Sequence, residues 1–159
     1  MSTAWDQYDA VAFNFWGWAG VGIAMTFSNL GTAYGTAKSG MGIASLAVTR
    51  PHLAFKAIIP IIMAGILSIY GLITSVLLSG KVKNDDPTAT AAPQILLFGG
   101  GMLCGFSNIA AGYAIGLVGE QGVKYFAINE SIFVALILIL IFAEVLGLFG
   151  MISSIIIST

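Results

Sequence analysis

Glu144 is the residue whose type and position point most directly to chemistry. It lies in an apolar run over residues 132–159, and no other charged residue follows Glu130. A charge at the centre of a membrane helix costs on the order of 2.5–3.5 kcal/mol on insertion scales. Such a carboxyl group is expected to be neutral much of the time, paired, or functional. A group that alternates between its neutral and charged forms can carry a proton.

The composition predicts an integral membrane protein. Of 159 residues, 58% are hydrophobic and 8% are charged, whereas a soluble domain has about 25% charged residues. The formal net charge of −1 provides no basic surface, so we expect no nucleic-acid partner. The single cysteine, Cys104, lies in an apolar run, which excludes a disulfide within the chain and favours a small packing residue.

Sequence patterns for soluble catalysis do not occur. The chain has neither a glycine-rich phosphate-binding loop ending in Lys-Ser/Thr nor a cluster with metal-ligand spacing. We therefore expect no cofactor, no metal site and no catalytic residues for nucleotide hydrolysis. His52, which follows Arg50-Pro51 in a polar stretch, is interpreted as a loop residue.

Four apolar runs predict an all-α membrane protein with four transmembrane helices. Each exceeds the ~20 residues that a spanning helix needs, and they cover 11–37, 57–80, 93–118 and 131–157. The gaps 38–56 and 119–130 hold four basic residues, and the gap 81–92 holds two. By the positive-inside rule, loops 38–56 and 119–130 are predicted to be cytoplasmic, with both termini on the opposite side.

The chain also matches itself when it is displaced by 79 residues. Phe27-Ser28-Asn29 then falls on Phe106-Ser107-Asn108, and Tyr34 falls on Tyr113. The same displacement aligns residues 59–75 with 138–154 without a gap. Two spans per repeat leave both halves in the same orientation, so the pattern predicts two fused, parallel-duplicated helical hairpins.

This duplication defines the predicted domains. They are an N-terminal segment 1–12, a first hairpin 13–80, a linker 81–92 on the side of the termini, and a second hairpin 93–159. In the repeat Glu144 falls on Gly65, so only the second hairpin has a carboxylate. Tyr70 falls on Phe149, so its hydroxyl has no counterpart at the equivalent position of the second hairpin. This hydroxyl is expected to lie at about the same depth in the membrane as Glu144. Tyr70 is therefore either a packing tyrosine or a residue that supports the carboxylate.

Small and polar residues indicate how the helices pack. Glycine, alanine, serine and threonine recur every fourth residue in the first and third spans, which favours close packing of inner helices. The second and fourth spans are richer in large aliphatic residues and are expected to contact lipid. Within the first and third spans, we expect hydrogen bonds between helices from four polar residues, which are Ser28, Asn29, Ser107 and Asn108.

Three segments together closely resemble the proteolipid family of eukaryotic V-type ATPases. They are GTAYGTAKSGMGIA (31–44), IPIIMAGILSIYGL (59–72) and ILILIFAEVLGLFG (137–150). The resemblance implies a rotor ring of proteolipid copies, either identical or mixed. It also implies a stator membrane protein, lipid around the ring, and a peripheral ATP-hydrolysing sector joined through a central stalk. The essential carboxylate of the family is in the AEVLG motif, here at Glu144.

The resemblance further implies lumenal termini and a location in vacuolar or other acidic endomembranes. Sodium-translocating relatives place oxygen ligands on the second helix, where this chain has Ile66 and Leu67, so protons are favoured. On this basis the chain is a proton-translocating component and not an enzyme by itself. The alternatives are a small proton-coupled four-helix transporter, which would need a substrate cavity, and a structural or pore-forming tetraspan, which would not need Glu144.

Overall fold

The structure, a computed structural model, describes the backbone of residues 4–82 and 91–159. Side chains are described for 14–82 and 92–159, so most of the predicted segment 1–12 and linker 81–92 lies outside these ranges. The described chain forms four α-helices: α1 (Ala4–Thr49), α2 (Ile59–Ser79), α3 (Ala91–Phe126) and α4 (Phe133–Ile157). Three short 3-10 turns, Pro51–Leu53, Lys56–Ile58 and Glu130–Ile132, lie between them.

Helices α1 and α3 extend beyond the predicted spans. The first was expected to end near residue 37 and the third near 118, but they continue to Thr49 and Phe126. Helix α1 ends just before Arg50-Pro51, since the residue before a proline is disfavoured in helical conformation. Most of the predicted gaps 38–56 and 119–130 is therefore helix, and the true connections are short.

Contacts between side chains define the directions of the helices. The ring centroids of Phe27 and Phe106 lie 5.2 Å apart, and those of Tyr34 and Tyr113 also lie 5.2 Å apart. The later residue of α1 thus pairs with the later residue of α3, so the two helices are parallel. Helix α2 runs antiparallel to α1 and α4 antiparallel to α3, which places the connections after α1 and α3 at one end.

Helices α1 and α3 approach each other backbone to backbone. A Cβ on Gly31 would overlap the backbone of Asn108, and a Cβ on Gly112 would overlap the backbone of Gly31. Larger side chains at these positions would separate the helices. The close packing that the small residues predict for the first and third spans is thus present in the fold.

Each hairpin repeats a contact of the other. In the first hairpin a Cβ on Gly71 would overlap the side chain of Ser28, and in the second a Cβ on Gly150 would overlap that of Ser107. Each residue of the second contact lies 79 positions after its counterpart in the first contact. The two α1–α3 ring pairs join residues that are also 79 apart.

Three described helical segments are long and apolar enough to cross a membrane: Lys56–Ser79, Ala92–Phe126 and Glu130–Ile157. The sequence predicted a fourth, within α1, which is not among them. The many glycine, serine, threonine and asparagine residues of α1 make it less hydrophobic than the other three helices. Helix α4 exposes large apolar side chains, such as Val134 at 74% and Phe142 at 67%, as a helix in contact with lipid does.

Candidate functional site

The carboxyl group of Glu144 lies between α4 and α2. The hydroxyl of Tyr70 donates a hydrogen bond to Oε1 of Glu144 at 3.0 Å. Both side chains are partly buried. The structure thus brings together the two residues that the sequence singled out for this site, although 74 positions separate them in the chain.

Tight packing of α4 fixes the position of Glu144. Ala143, its neighbour, is buried, and Gly147, one turn further on, lies against Leu67 of α2 and Asn108 of α3. A Cβ on Gly147 would approach both of these side chains within 2.6 Å or less. The absence of a side chain at Gly147 lets α4 lie close enough to α2 for Tyr70 to reach the carboxyl group.

No basic residue pairs with Glu144 in the part of the chain that the structure describes. The two ion pairs found there both involve Glu120, which binds Lys124 at 2.8 Å and Lys38 at 3.3 Å. Glu144 therefore receives its hydrogen bond from a neutral phenol. A carboxyl group without a fixed counter-charge can take up and release a proton without breaking an ion pair.

The repeat-related position in the first hairpin is open. A Cβ on Gly65, which replaces the carboxylate there, would meet no atom within 4 Å. Phe149, which replaces Tyr70, has 59% of its surface exposed. The repeat-related pair, Gly65 in the first hairpin and Phe149 in the second, thus has neither the carboxyl group nor the hydroxyl group.

A buried polar cluster lies beside the site, between α1, α2 and α3. Nδ2 of Asn108 donates to Oγ of Ser28 at 2.7 Å and lies 3.4 Å from Sγ of Cys104. The hydroxyl of Thr74 lies 3.2 Å from the same sulfur. Cys104 therefore packs in the interior as predicted, but with polar partners. The sequence did not predict that Thr74 belongs to this polar cluster. Its position inside an apolar span could have indicated that its hydroxyl has a polar partner.

The expected interhelical hydrogen bonds form for three of the four polar residues. Asn108 bonds to Ser28 across α3 and α1, and Ser107 donates to the carbonyl of Leu146 across α3 and α4. Asn29 instead is exposed on α1. The prediction for Asn29 is therefore wrong within a single copy of the chain.

The remaining residues that were predicted to lie in loops are found in the C-terminal parts of α1 and α3 and in the turn that follows α1. His52 is exposed in the 3-10 turn Pro51–Leu53. Glu120, expected in a solvated gap, lies instead in α3, where it links α1 to α3 through Lys38. This ion pair joins the two parallel helices beyond their predicted membrane spans.

The fold and the site together define a small helical membrane protein with a carboxyl group, that of Glu144, within an apolar helix. The family model of the ATP synthase C subunit matches residues 19–78 and again residues 98–157. The chain belongs to this family, in the group of 16 kDa proteolipids of V-type proton ATPases.

Its similarity to members of that group extends over nearly the whole chain. It is 51% identical over 145 residues to the V-type proton ATPase 16 kDa proteolipid of Nephrops norvegicus, a match that covers 91% of each chain. The proteins of the same name from Homo sapiens and Rattus norvegicus are 51% and 50% identical over 146 residues, which cover 92% of each chain.

Proposed function

We propose that this chain is a proton-translocating component of the membrane rotor ring of a V-type ATPase, and that Glu144 carries the proton. The observation that carries the proposal is the carboxyl group of Glu144, held at the surface of an apolar helix by the neutral Tyr70 hydroxyl. The family adds the role in proton transport. ATP hydrolysis belongs to a separate peripheral sector, so the chain is not an enzyme by itself.

The proposed cycle uses two protonation states of Glu144. In contact with lipid the carboxyl group is neutral, because loss of hydration disfavours the charged form. Where the rotating ring meets water at the stator, the group releases its proton and later takes up another. Tyr70 orients the carboxyl group between these events by its hydrogen bond to Oε1.

The proposed architecture is a parallel duplication of a two-helix hairpin, with hairpins at 13–80 and 93–159. The two stretches that match the family model begin 79 residues apart, at residues 19 and 98. The repeated glycine–serine contacts of the two hairpins support the same displacement. The duplication supplies one proton carrier for every four helices.

Helix α1 is proposed to cross the membrane as well. It packs lengthwise against α2 and α3, and it carries no charged residue between Asp9 and Lys38. With four spans, both termini and the linker 81–92 lie on the same side, which the distribution of basic residues and the family favour as the lumen of a vacuole or another acidic organelle. The connections after α1 and α3, with the predicted loop regions 38–56 and 119–130, then face the cytoplasm and the ATP-hydrolysing sector with its central stalk.

Protons are favoured over sodium ions as the cargo. A sodium ion needs several oxygen ligands, and the α2 positions that supply them in sodium-translocating relatives are Ile66 and Leu67 here. Leu67 is fully buried against α4. One carboxyl group with one phenol suffices for a proton but leaves a sodium ion short of ligands.

The test of this function is Glu144→Gln. Glutamine keeps the size and the hydrogen bonding of the side chain but cannot carry a proton, so ATP-driven acidification of vesicles should be lost while the ring still assembles. Glu144→Asp should retain part of the activity at most, because the shorter side chain withdraws the carboxyl group from Tyr70.

The matched control is Glu130→Gln. Glu130 is exposed in a 3-10 turn, so its loss should leave acidification near the level of the unmodified protein. Substantial pumping by a Glu144→Gln ring would refute the proposal. A four-helix transporter would instead show transport by isolated chains, without a ring.

A further inference from the structure

Two consecutive residues of α3, Ser107 and Asn108, contact α4 one turn beyond Glu144. The hydroxyl of Ser107 donates to the carbonyl of Leu146. Oδ1 of Asn108 lies against the backbone of α4 at Gly147, where an added Cβ would come within 2.5 Å of it. Residues 144 and 147 are three apart in one helix, so they are neighbours on its surface. The two contacts therefore fix the part of α4 that carries the carboxyl group.

The buried polar cluster fixes the orientation of the Asn108 amide. Oγ of Ser28 donates its proton to the carbonyl of Ala24 at 2.7 Å, so toward Asn108 it can only accept a hydrogen bond. Nδ2 of Asn108 is the donor to that oxygen at 2.7 Å, and it also lies 3.4 Å from Sγ of Cys104. Oδ1 therefore points the other way, toward α4. Among the described residues, Oδ1 has no hydrogen-bond partner.

The same cluster contacts α2 beside Tyr70. Sγ of Cys104 lies 3.2 Å from the hydroxyl of Thr74 and 4.0 Å from the carbonyl oxygen of Tyr70. Asn108 thus touches α4 directly and reaches α2 through Cys104. The turn of α2 that carries the phenol and the turn of α4 that follows the carboxyl group are both packed on this one buried amide.

The first hairpin provides an internal comparison. The residues 79 positions earlier are Ser28 and Asn29. The hydroxyl of Ser28 bonds within its own helix, to Ala24, and Asn29 is exposed on α1. This hairpin, residues 13–80, contains no aspartate or glutamate. Only the hairpin with the carboxyl group therefore uses this serine for a bond between its two helices and buries this asparagine, which associates both contacts with Glu144.

From these contacts, and on the basis of the proposed role of Glu144, we infer that Ser107 and Asn108 are positioning residues for proton transfer. They hold α4 at the distance from α2 at which the Tyr70 hydroxyl reaches Oε1 of Glu144 at 3.0 Å. An amide oxygen suits this contact because it can approach a carbon atom to about 3.3–3.6 Å, whereas two carbon atoms pack at about 3.5–4.0 Å. A hydrogen bond weakens when its donor and acceptor move apart, so a small shift of α4 affects the carboxyl group.

The test is Asn108→Leu in assembled rings. Leucine has about the shape of asparagine but neither its donor nor its acceptor, so the bond to Ser28 is lost and a methyl group pushes α4 outward at Gly147. We expect ATP-driven acidification per ring to fall about two- to tenfold, the range for the loss of one hydrogen bond. An apolar carbodiimide, applied without ATP, should label Glu144 faster because Tyr70 no longer holds the carboxyl group.

A double variant shows whether Asn108 acts through Tyr70. Tyr70→Phe already removes the hydroxyl, so the addition of Asn108→Leu should lower acidification per ring no further. Losses that multiply in the double variant would contradict the inference, because the amide would then act independently of the phenol. A contribution to stability alone would also contradict it, and would lower the amount of ring without a change in the activity per ring.

The matched control is Asn29→Leu, because Asn29 is the repeat equivalent of Asn108 and is exposed. Acidification per ring and the labelling rate should equal those of the unmodified protein. If Asn108→Leu does not assemble, Ser107→Ala takes its place. Alanine removes only the hydroxyl that bonds to Leu146, and this variant should also lower acidification and speed the labelling of Glu144.

The outcomes distinguish this inference from the proposed function. Rings of Asn108→Leu and of Ser107→Ala that pump and react like the unmodified protein would overturn the positioning role, whereas an inactive Glu144→Gln ring would still support Glu144 as the proton carrier. Pumping by the Glu144→Gln ring would instead refute the proposed function. The labelling rate requires no pumping, so it would still report on the contact between Tyr70 and Glu144.

Discussion

At the scale of the residue, the proposed function rests on one carboxyl group and one hydroxyl group. The sequence marks Glu144 as the candidate proton carrier, because no other carboxylate interrupts an apolar run of this length. It also marked Tyr70 as a polar addition relative to the repeat, but it could not decide between packing and support. The structure gives the contact, a 3.0 Å hydrogen bond, and this depends on the distance between α2 and α4.

Replacement of Tyr70 by phenylalanine tests the support of the carboxyl group. Tyr70→Phe retains the ring but removes the hydrogen bond to Oε1, so we expect ATP-driven acidification to fall by about tenfold or less, in line with hydrogen bonds of ~1 kcal/mol. An apolar carbodiimide should also label Glu144 faster, because the carboxyl group is freer.

Tyr125→Phe is the matched control for this experiment. Tyr125 is exposed in the last turn of α3, whereas Glu144 lies about three turns into α4, so its loss should change neither measurement. If Tyr70→Phe pumped and reacted with the carbodiimide as the unmodified protein does, Tyr70 would be a packing residue only.

At the scale of the element, the sequence predicted the number and type of the helices better than their ends. Apolar runs determine where a helix can cross a membrane, but polar residues do not by themselves end a helix. Lys38 and Glu120 lie beyond the predicted spans, yet they stay helical and pair with each other at 3.3 Å. Small residues at regular spacing also indicated that α1 and α3 are close, although not which glycines touch.

Gly31→Ala tests the closeness of α1 and α3. The added methyl group would overlap the backbone of Asn108, so the helices must separate or shift, which costs about 1–3 kcal/mol. We expect a lower midpoint of thermal unfolding in detergent and less assembled ring. Gly80→Ala provides the comparison, because a Cβ at Gly80 would make only ordinary contacts of 3.7 Å or more. Equal stability of the two variants would contradict a tight α1–α3 contact.

At the scale of the whole molecule, the parallel arrangement of the hairpins determines which groups share an end. Arg50, Lys56 and Lys124 lie at the end where α1 and α3 terminate, whereas Lys81 lies at the other end and donates to the carbonyl of Ser158. The repeat predicted this arrangement from the sequence.

The orientation of the molecule in the membrane can be tested at Asn129, which begins the glycosylation sequence Asn129-Glu130-Ser131. Its side chain caps a short turn by accepting hydrogen bonds from the backbone and hydroxyl of Ser131. The basic residues at this end predict a cytoplasmic location, out of reach of the glycosylation machinery. We expect no change in electrophoretic mobility when the protein from its host is treated with a glycosidase.

Asp86→Thr supplies the positive control, because it creates a glycosylation sequence at Asn84 in the linker that is predicted to be lumenal. That variant should carry a glycan, whereas the unmodified chain should not. A glycan at Asn129, with none at Asn84, would reverse the molecule in the membrane. Both termini would then be cytoplasmic, and the ATP-hydrolysing sector would have to approach the end of the ring that holds Lys81 instead of the end that holds Arg50.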